Sequence, residues 1–432
     1  MTMSKSLASP LAGSLAGTHV APREAAVSSK AGAAWSGIEI AVVSDLAQIE
    51  GEWRAFEAVA DGTAFQTYEW LSKWQRHVGV LNGTRPAIVV GRDAAGGLAF
   101  LLPLAVEPVG MARRLTWLGS ALCDYNGPLL APDCSQRLGD GFPQLWRQIL
   151  ALLRANPQLR FDYIDLSKMT ESVGRQRNPF FALRLEANPS GAHVATLGSD
   201  WETFYAERRS GSTRKKERKQ LKQLGEHGAI DFATVHDPRD AERVLDILIH
   251  QKSRSFARLG VHNAFDRPGY RDFYLDLISD PSLAAVVHLS HLDVGDQVAA
   301  SGLGLRFGGS YYLILSSYDD GPISRFGPGR AHLHELIRFA IGEKLARFDF
   351  TIGDEAYKSD WADVVVRPHD HLAGVTLRGH AIVAAILGFR WLKRLIKQTP
   401  VLWHLYSRLR SWRGAVSGAA AANADSEETQ AG

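Results

Sequence analysis

Cysteine is almost absent from this chain of 432 residues: only Cys123 and Cys134 occur. Two thiols give neither a disulfide framework nor a zinc-ligand spacing, which fits a reducing cytoplasm. No apolar run reaches the roughly 18 residues needed to span a bilayer. The nearest, residues 381–389, is cut by Arg390. There is no Gly-x-Ser-x-Gly elbow and no Walker loop, which argues against a serine hydrolase or an NTPase. Excess charge is also missing, since the formal net charge of +3 is too small to imply a nucleic-acid partner by itself. Residues 1–34 are rich in Ala, Ser and Gly and carry no unbroken apolar core, so they read as a disordered tail rather than a targeting segment. Residues 414–432 read the same way.

What is present is a globular composition, 45% apolar and 22% charged, on a chain long enough for two or three domains. The richest stretch is residues 310–361. A strand, Ser310-Tyr-Tyr-Leu-Ile-Leu-Ser-Ser-Tyr318, leads to Arg325-Phe-Gly327-Pro-Gly329-Arg330. Leu333, Leu336, Ile337, Ala340, Ile341 and Leu345 then follow helical spacing, and Phe348-Asp-Phe-Thr-Ile352 alternates like a half-buried strand. A glycine-rich turn ahead of a helix presents free backbone N–H groups that favour an anion such as a pyrophosphate. The bland alternative is a strand–turn–helix–strand crossover with no ligand.

The order Tyr318-Asp319, Gly327-Pro328-Gly329, Phe348-Asp349-Phe350 and Gly353-Asp354-Glu355-Ala356-Tyr357-Lys358 resembles the GNAT N-acetyltransferase superfamily, and within it the CelD-type, BioF-type acetyltransferase domain found beside bacterial cellulose and exopolysaccharide genes. The general Arg/Gln-x-x-Gly-x-Gly/Ala motif is matched with one residue fewer between Arg325 and Gly327. A weaker likeness runs from Phe65-Gln-Thr-Tyr-Glu-Trp-Leu71 to Arg378. The resemblance implies an acetyl-CoA or other acyl-CoA co-substrate, held by Arg325, Gly327, Gly329 and Arg330. Backbone N–H groups at Leu315, Ser316 and Ser317 would polarise the thioester carbonyl. Asp319, Asp354, Glu355, Tyr357 and Lys358 are the polar groups nearest the chemistry. Asp354 or Glu355 would serve as base and Tyr357 as acid for the thiolate. The other reading is that Gly353-Asp-Glu is a polar turn and Tyr-Lys packs structurally.

Residues 35–190 and 191–375 repeat one order: helix, helix, hairpin, strand, helix, strand. Hairpin turns fall at Asp93-Ala-Ala-Gly-Gly97 and Asp293-Val-Gly-Asp296. We therefore expect an α/β (α+β) protein of tandem GNAT-like domains, each a mixed, mostly antiparallel sheet flanked by helices, similar to Fem-type peptidyltransferases. Only the second half has the glycine turn. The first carries Leu118-Gly-Ser-Ala-Leu-Cys-Asp-Tyr-Asn-Gly127 instead, so it is expected to shape the acceptor side.

The basic run at residues 208–222 reads either as a solvated helix or as a site for phosphates or an anionic membrane. RNA is disfavoured because no aromatic residues interleave with the charges. His332 and His334 have no third ligand and read as surface or packing residues, and His369-Asp-His371 reads as a loop, so no metal is expected. Residues 376–413 alternate aromatic and cationic side chains, broken near Pro400 into two amphipathic helices. They would cap the fold or meet a polysaccharide synthase or the inner membrane peripherally.

These features lead to a cytoplasmic acyltransferase acting on an amine or hydroxyl of a small-molecule or glycan acceptor. The alternatives are an aminoacyl-tRNA-dependent Fem-like transferase and a non-catalytic scaffold for a polysaccharide synthase.

Overall fold

The computed structural model describes residues 34, 35 and 37–398. Of the expected tails at 1–34 and 414–432, all but Ala34, which pairs with Glu39, lie outside the described residues, as does the second helix beyond Pro400.

Along the first half run β1 (Ile38–Val43), α1 (Glu50–Glu57), α2 (Tyr68–Trp74), β2 (Arg85–Arg92), β3 (Leu98–Val109), β4 (Ala112–Trp117), α3 (Phe142–Ala155) and β5 (Tyr163–Met169). The second half has β6 (Ala192–Thr196), α4 (Trp201–Arg208), α5 (Gly211–Gly225), β7 (Ile230–Thr234), α6 (Pro238–Leu259), α7 (Tyr270–Ile278), β8 (Val287–Val294), β9 (Gln297–Phe307), β10 (Ser310–Tyr318), α8 (Pro328–Gly342) and β11 (Arg347–Ile352). After these come β12 (Val364–Val366), β13 (His369–Gly374) and α9 (Leu377–Gln398).

Among the described residues these strands build two large sheets. The first has the order β1-β2-β3-β4-β5-β13 and the second β7-β8-β9-β10-β11-β6-β12. Each is antiparallel except for one inner parallel pair, β4 with β5 and β10 with β11. The two halves thus share one topology, as their sequence order implies.

They are also interlocked. The strand β13 falls within the stretch 191–375 expected to form the second half, yet it pairs with β5 of the first sheet, so that division does not hold at its C-terminal end. Residues 369–371 are therefore strand rather than loop. His371 is buried and its Nδ1 meets the Arg184 carbonyl at 2.9 Å.

Apolar spacing places the core. Trp53 and Phe56 on α1, and Trp70, Leu71 and Trp74 on α2, are all buried. So are Leu333, Leu336, Ile337, Ala340 and Ile341 on α8, which ends at Gly342, before Leu345. The main core crosses between the halves: Phe65 of the first meets Tyr312 of β10, and Trp70 packs edge-on against Phe273 of α7 with ring centroids 5.0 Å apart. Lys73, its side chain only 6% exposed, reaches Asp276 at 2.7 Å and Asp280 at 2.8 Å across the same seam. The far side of the second sheet packs on α8 and α4 through Tyr311, Phe348, Trp201 and Phe204.

Because Phe65 is fully buried against both halves, Phe65→Ala should cost about 3–5 kcal/mol. Urea unfolding of this variant, followed by fluorescence and by circular dichroism, should stay a single transition. Two separated transitions would show that the halves fold independently.

Candidate active site

The parallel pairing of β10 with β11 covers only Ser310↔Arg347, Tyr311↔Phe348 and Tyr312↔Asp349. Beyond that the strands separate. Two local irregularities fall here: Ile314 of β10 is an extra residue between Leu313 and Leu315 in the pairing with β9, and Thr351 has φ 59°, a costly conformation for a β-branched residue. Thr351 is buried, and its Oγ1 donates to the Leu313 carbonyl at 3.2 Å. On its other side β10 stays paired with β9, through Leu303↔Leu315, Gly302↔Ser316 and Ser301↔Ser317. The edge of residues 315–317 that faces β11 is left without a strand partner.

The first half has the same short parallel contact, Arg114↔Tyr163 and Leu115↔Ile164. Its gap is filled by its own chain. Asn126 bridges to Met169, its N–H donates to the Lys168 carbonyl at 3.0 Å, and its Nδ2 donates to the Ser167 carbonyl at 3.1 Å. Only the second half keeps an open wedge.

Above the wedge stands the glycine turn. Gly327 is left-handed (φ 74°) and caps α8, with Pro328 in the first turn. A Cβ on Gly329 would come within 2.9 Å of the Tyr318 ring. The turn and the wedge share a cavity of about 480 Å³, lined among others by Lys252, Ser316, Ser317, Gly327, Gly329, Arg330, Glu355 and Tyr357.

Not every residue singled out from sequence reaches this cavity. Asp319 sits outside it, held by Arg254 at 2.5 Å and by the Gly321 N–H at 2.9 Å. Asp354 is exposed and accepts from Ser190 Oγ at 3.0 Å. Leu315 is half-buried beside the main core. Arg325 points away, stacked on Phe326, while its carbonyl accepts from Gln220. Lys358 is buried behind the wall, donating to the Ile352 carbonyl at 3.1 Å and pairing with Glu355 at 3.0 Å.

The basic run forms α5, which packs onto the glycine turn. Its Gln220 accepts from Arg330 at 2.7 Å. Its one buried acid, Glu217, accepts from Tyr205 and from Arg209 at 2.8 Å, which fixes the helix here. Lys215, Lys216, Arg218, Lys219 and Lys222 face solvent.

Several site residues carried no sequence motif. Lys252 on α6 lines the cavity and donates to the Ser316 carbonyl at 3.2 Å. Burial pulls its ammonium below the usual lysine range, against the pull of Glu355. Asp124 and Tyr125 come from the loop that fills the first half's gap. Burial pushes the Asp124 carboxyl up, opposed by Lys168 and by Thr351. The Tyr125 hydroxyl donates to Asp349 at 2.9 Å. Burial pushes Asp349 up to about 7, against the Thr351 N–H and Tyr125. The only sequence signal for this loop was its position, opposite the glycine turn in the repeat.

Tyr357, 37% exposed at the cavity rim, has its hydroxyl pushed up to about 12 by burial and by Glu355. Burial also raises the Glu355 carboxyl, but Lys358, the backbone and Lys252 together leave it below its usual range. His332 and His334 are packing residues. Burial pulls them down to about 3 and about 4, and His332 Nε2 meets Ser290 Oγ at 3.0 Å.

The half-open parallel pair and the left-handed glycine turn heading α8 thus open into one cavity, an arrangement suited to an anionic ligand. Residues 211–359 match the family described as acetyltransferase (GNAT) domain. That match spans 149 of the 432 residues, about a third of the chain, and takes in the glycine turn and both strands of the wedge.

Among solved structures the chain is similar to FemX, with 9% identity over 74% of this chain and 95% of that one, and a TM-score of 0.52. That is a likeness of fold. Other similar structures are a conserved protein of unknown function from Bacteroides thetaiotaomicron (11% identity, 77% and 99% of the two chains, TM-score 0.49) and a tandem GNAT protein from the clavulanic acid biosynthesis pathway (13%, 78% and 99%, TM-score 0.44). No curated protein matches the chain.

Asp349 supplies a pH test. Its folded pKa of about 7 lies above the ordinary value of 3.8, so the fold binds this proton more tightly than the unfolded chain does. That stabilisation is complete below the ordinary value and is lost as pH rises through the folded one. Urea midpoints of the wild type should therefore fall across this window more steeply than those of Asp349→Asn. Parallel profiles would show that Asp349 does not titrate as its burial implies.

Proposed function

We propose that the chain transfers an acyl group from acyl-CoA directly to an amine or hydroxyl of a sugar, a polysaccharide precursor or a lipid-linked glycan. One observation carries the acyl-CoA reading: the open wedge between β10 and β11 and the glycine turn of α8 belong to one cavity. The first-turn N–H groups of α8 hold the pyrophosphate, aided by its dipole and by Arg330. The sugar acceptor rests on the resemblance of residues 318–358 to CelD-type sequences. On this reading the protein acts in exopolysaccharide or cellulose synthesis.

The thioester supplies the activated acyl group. The unpaired edge of residues 315–317 offers N–H donors to its carbonyl oxygen. Glu355, kept ionised by Lys358, the backbone and Lys252, takes the proton of the attacking group. Tyr357 holds its proton at neutral pH and supplies it to the leaving thiolate. Direct transfer is favoured because both cysteines are buried with thiols pushed up to about 12, which leaves no thiolate to carry the acyl group.

A second reading, an aminoacyl-tRNA-dependent transferase, draws support from the solvent-facing cations of α5 beside the cavity. RNA that co-purifies and leaves at raised salt would favour it over acyl-CoA.

Calorimetry with acetyl-CoA should show binding to the wild type and none to Gly329→Trp, whose circular dichroism should be unchanged. Failure of the folded wild type to bind acetyl-CoA or longer acyl-CoAs would remove the proposal. With an acceptor in hand, Glu355→Gln should lower kcat roughly 10²–10⁴-fold at unchanged acetyl-CoA affinity. An unchanged kcat would reassign the base.

A further inference from the structure

Helix α9 is anchored to the first sheet with unusual care. Thr376 caps it, accepting from the Gly379 N–H at 3.1 Å and donating to Asp162 at 2.8 Å. A Cβ on Gly379 would come within 1.8 Å of the Asp162 carbonyl, so only glycine allows this approach. Further along, Arg390 reaches Asp370 at 3.3 Å. These ties fix which side of the helix looks outward.

That outward side is mostly apolar, with Arg378 and His380 its exposed polar residues among 377–392. Leu377, Ala384, Ala385 and Leu392 are exposed at helical spacing, with Phe389 and Trp391 beside them. Leu377 is 92% exposed, Phe389 68% and Trp391 63%. The patch continues onto the turn between β3 and β4: Met111 is 93% exposed, and its carbonyl accepts from Arg378 at 2.6 Å. An ordinary surface helix puts its polar residues on this side.

Charge decides what covers the patch. Between Asp370 and Asp425 the sequence has no carboxylate, and every Asp, Glu, Lys or Arg position is a lysine or arginine. A second copy of the chain would set this cationic segment against itself. A surface of anionic phospholipid would neutralise it and accept the aromatic and aliphatic side chains. The helix is not a span, for among the described residues none is long and apolar enough to cross a membrane.

We propose that α9 and the Met111 turn form a membrane-docking face, on which the protein lies against an anionic phospholipid bilayer with Phe389, Trp391 and Leu377 inserted at the headgroup level. This face belongs to the first half and does not depend on the acyl-CoA reading.

The test is flotation of the full chain with phosphatidylglycerol-containing vesicles, compared with pure phosphatidylcholine. Wild type should float with the anionic vesicles, and less so as salt is raised. Phe389→Glu/Trp391→Glu should bind them at least tenfold more weakly, with the wild-type circular dichroism spectrum and melting. The exposed positions of both residues make this fold control a fair one. Wild type that stays at the bottom of the gradient, or a double variant that floats as well as wild type, would overturn the proposal. So would wild type that sediments as a dimer without floating, if the double variant is a monomer: the face would then be covered by a second copy.

Discussion

The separation of β10 from β11 is the constraint on which the rest of the site depends. Backbone groups of a paired strand are spent on the sheet, and a ligand cannot reach them. Here pairing stops at Tyr312 and Asp349, with the extra residue Ile314 of β10 and the strained Thr351 of β11 just beyond. The strain is held by burial and by the bond from Thr351 to the Leu313 carbonyl. Opening the sheet creates the cavity and exposes one edge of β10 to it. The same opening leaves Lys252 of α6 able to reach the Ser316 carbonyl.

The two halves show what happens when this constraint is answered differently. In the first, the loop after β4 folds back along β5 and takes up the free backbone groups through Asn126. That half has no glycine turn and no open wedge. It contributes instead through the loop itself, which carries Tyr125 to Asp349 and Asp124 to the neighbourhood of Thr351. A duplicated fold has one half open to ligand and the other turned into a wall. The exchange of β13 into the first sheet, and the aromatic seam of Phe65, Trp70, Phe273 and Tyr312, hold wall and wedge in register.

Charge is arranged with similar economy. The basic helix α5 is tied down by a single buried acid, Glu217, which meets Tyr205 and Arg209. Arg330 is drawn toward the same group and toward Gln220. Removing a partner from a buried charge cluster is costly, because the remaining charges stay desolvated. The position of α5 beside the glycine turn is therefore a property of this network, not of apolar burial, since on α5 only Leu224 is a buried apolar side chain.

By itself the sequence determined the elements and their repeat. Apolar spacing placed Leu333, Leu336, Ile337, Ala340 and Ile341 on one face of α8, and turn residues marked both hairpins. The motif order around Gly327 and Gly329 pointed to the turn that lines the cavity. These signals are local, set by periodicity and backbone preference within a few residues. Tertiary structure alone decided which polar groups meet. Asp319 and Arg325 flank the motif but turn to Arg254 and Phe326, whereas Lys252, distant in sequence, arrives at the cavity through the packing of α6, and a loop of the other half brings Asp124 beside Thr351. The membership of β13 in the first sheet was equally hidden, because strand pairing is a long-range hydrogen-bond match that no local pattern records.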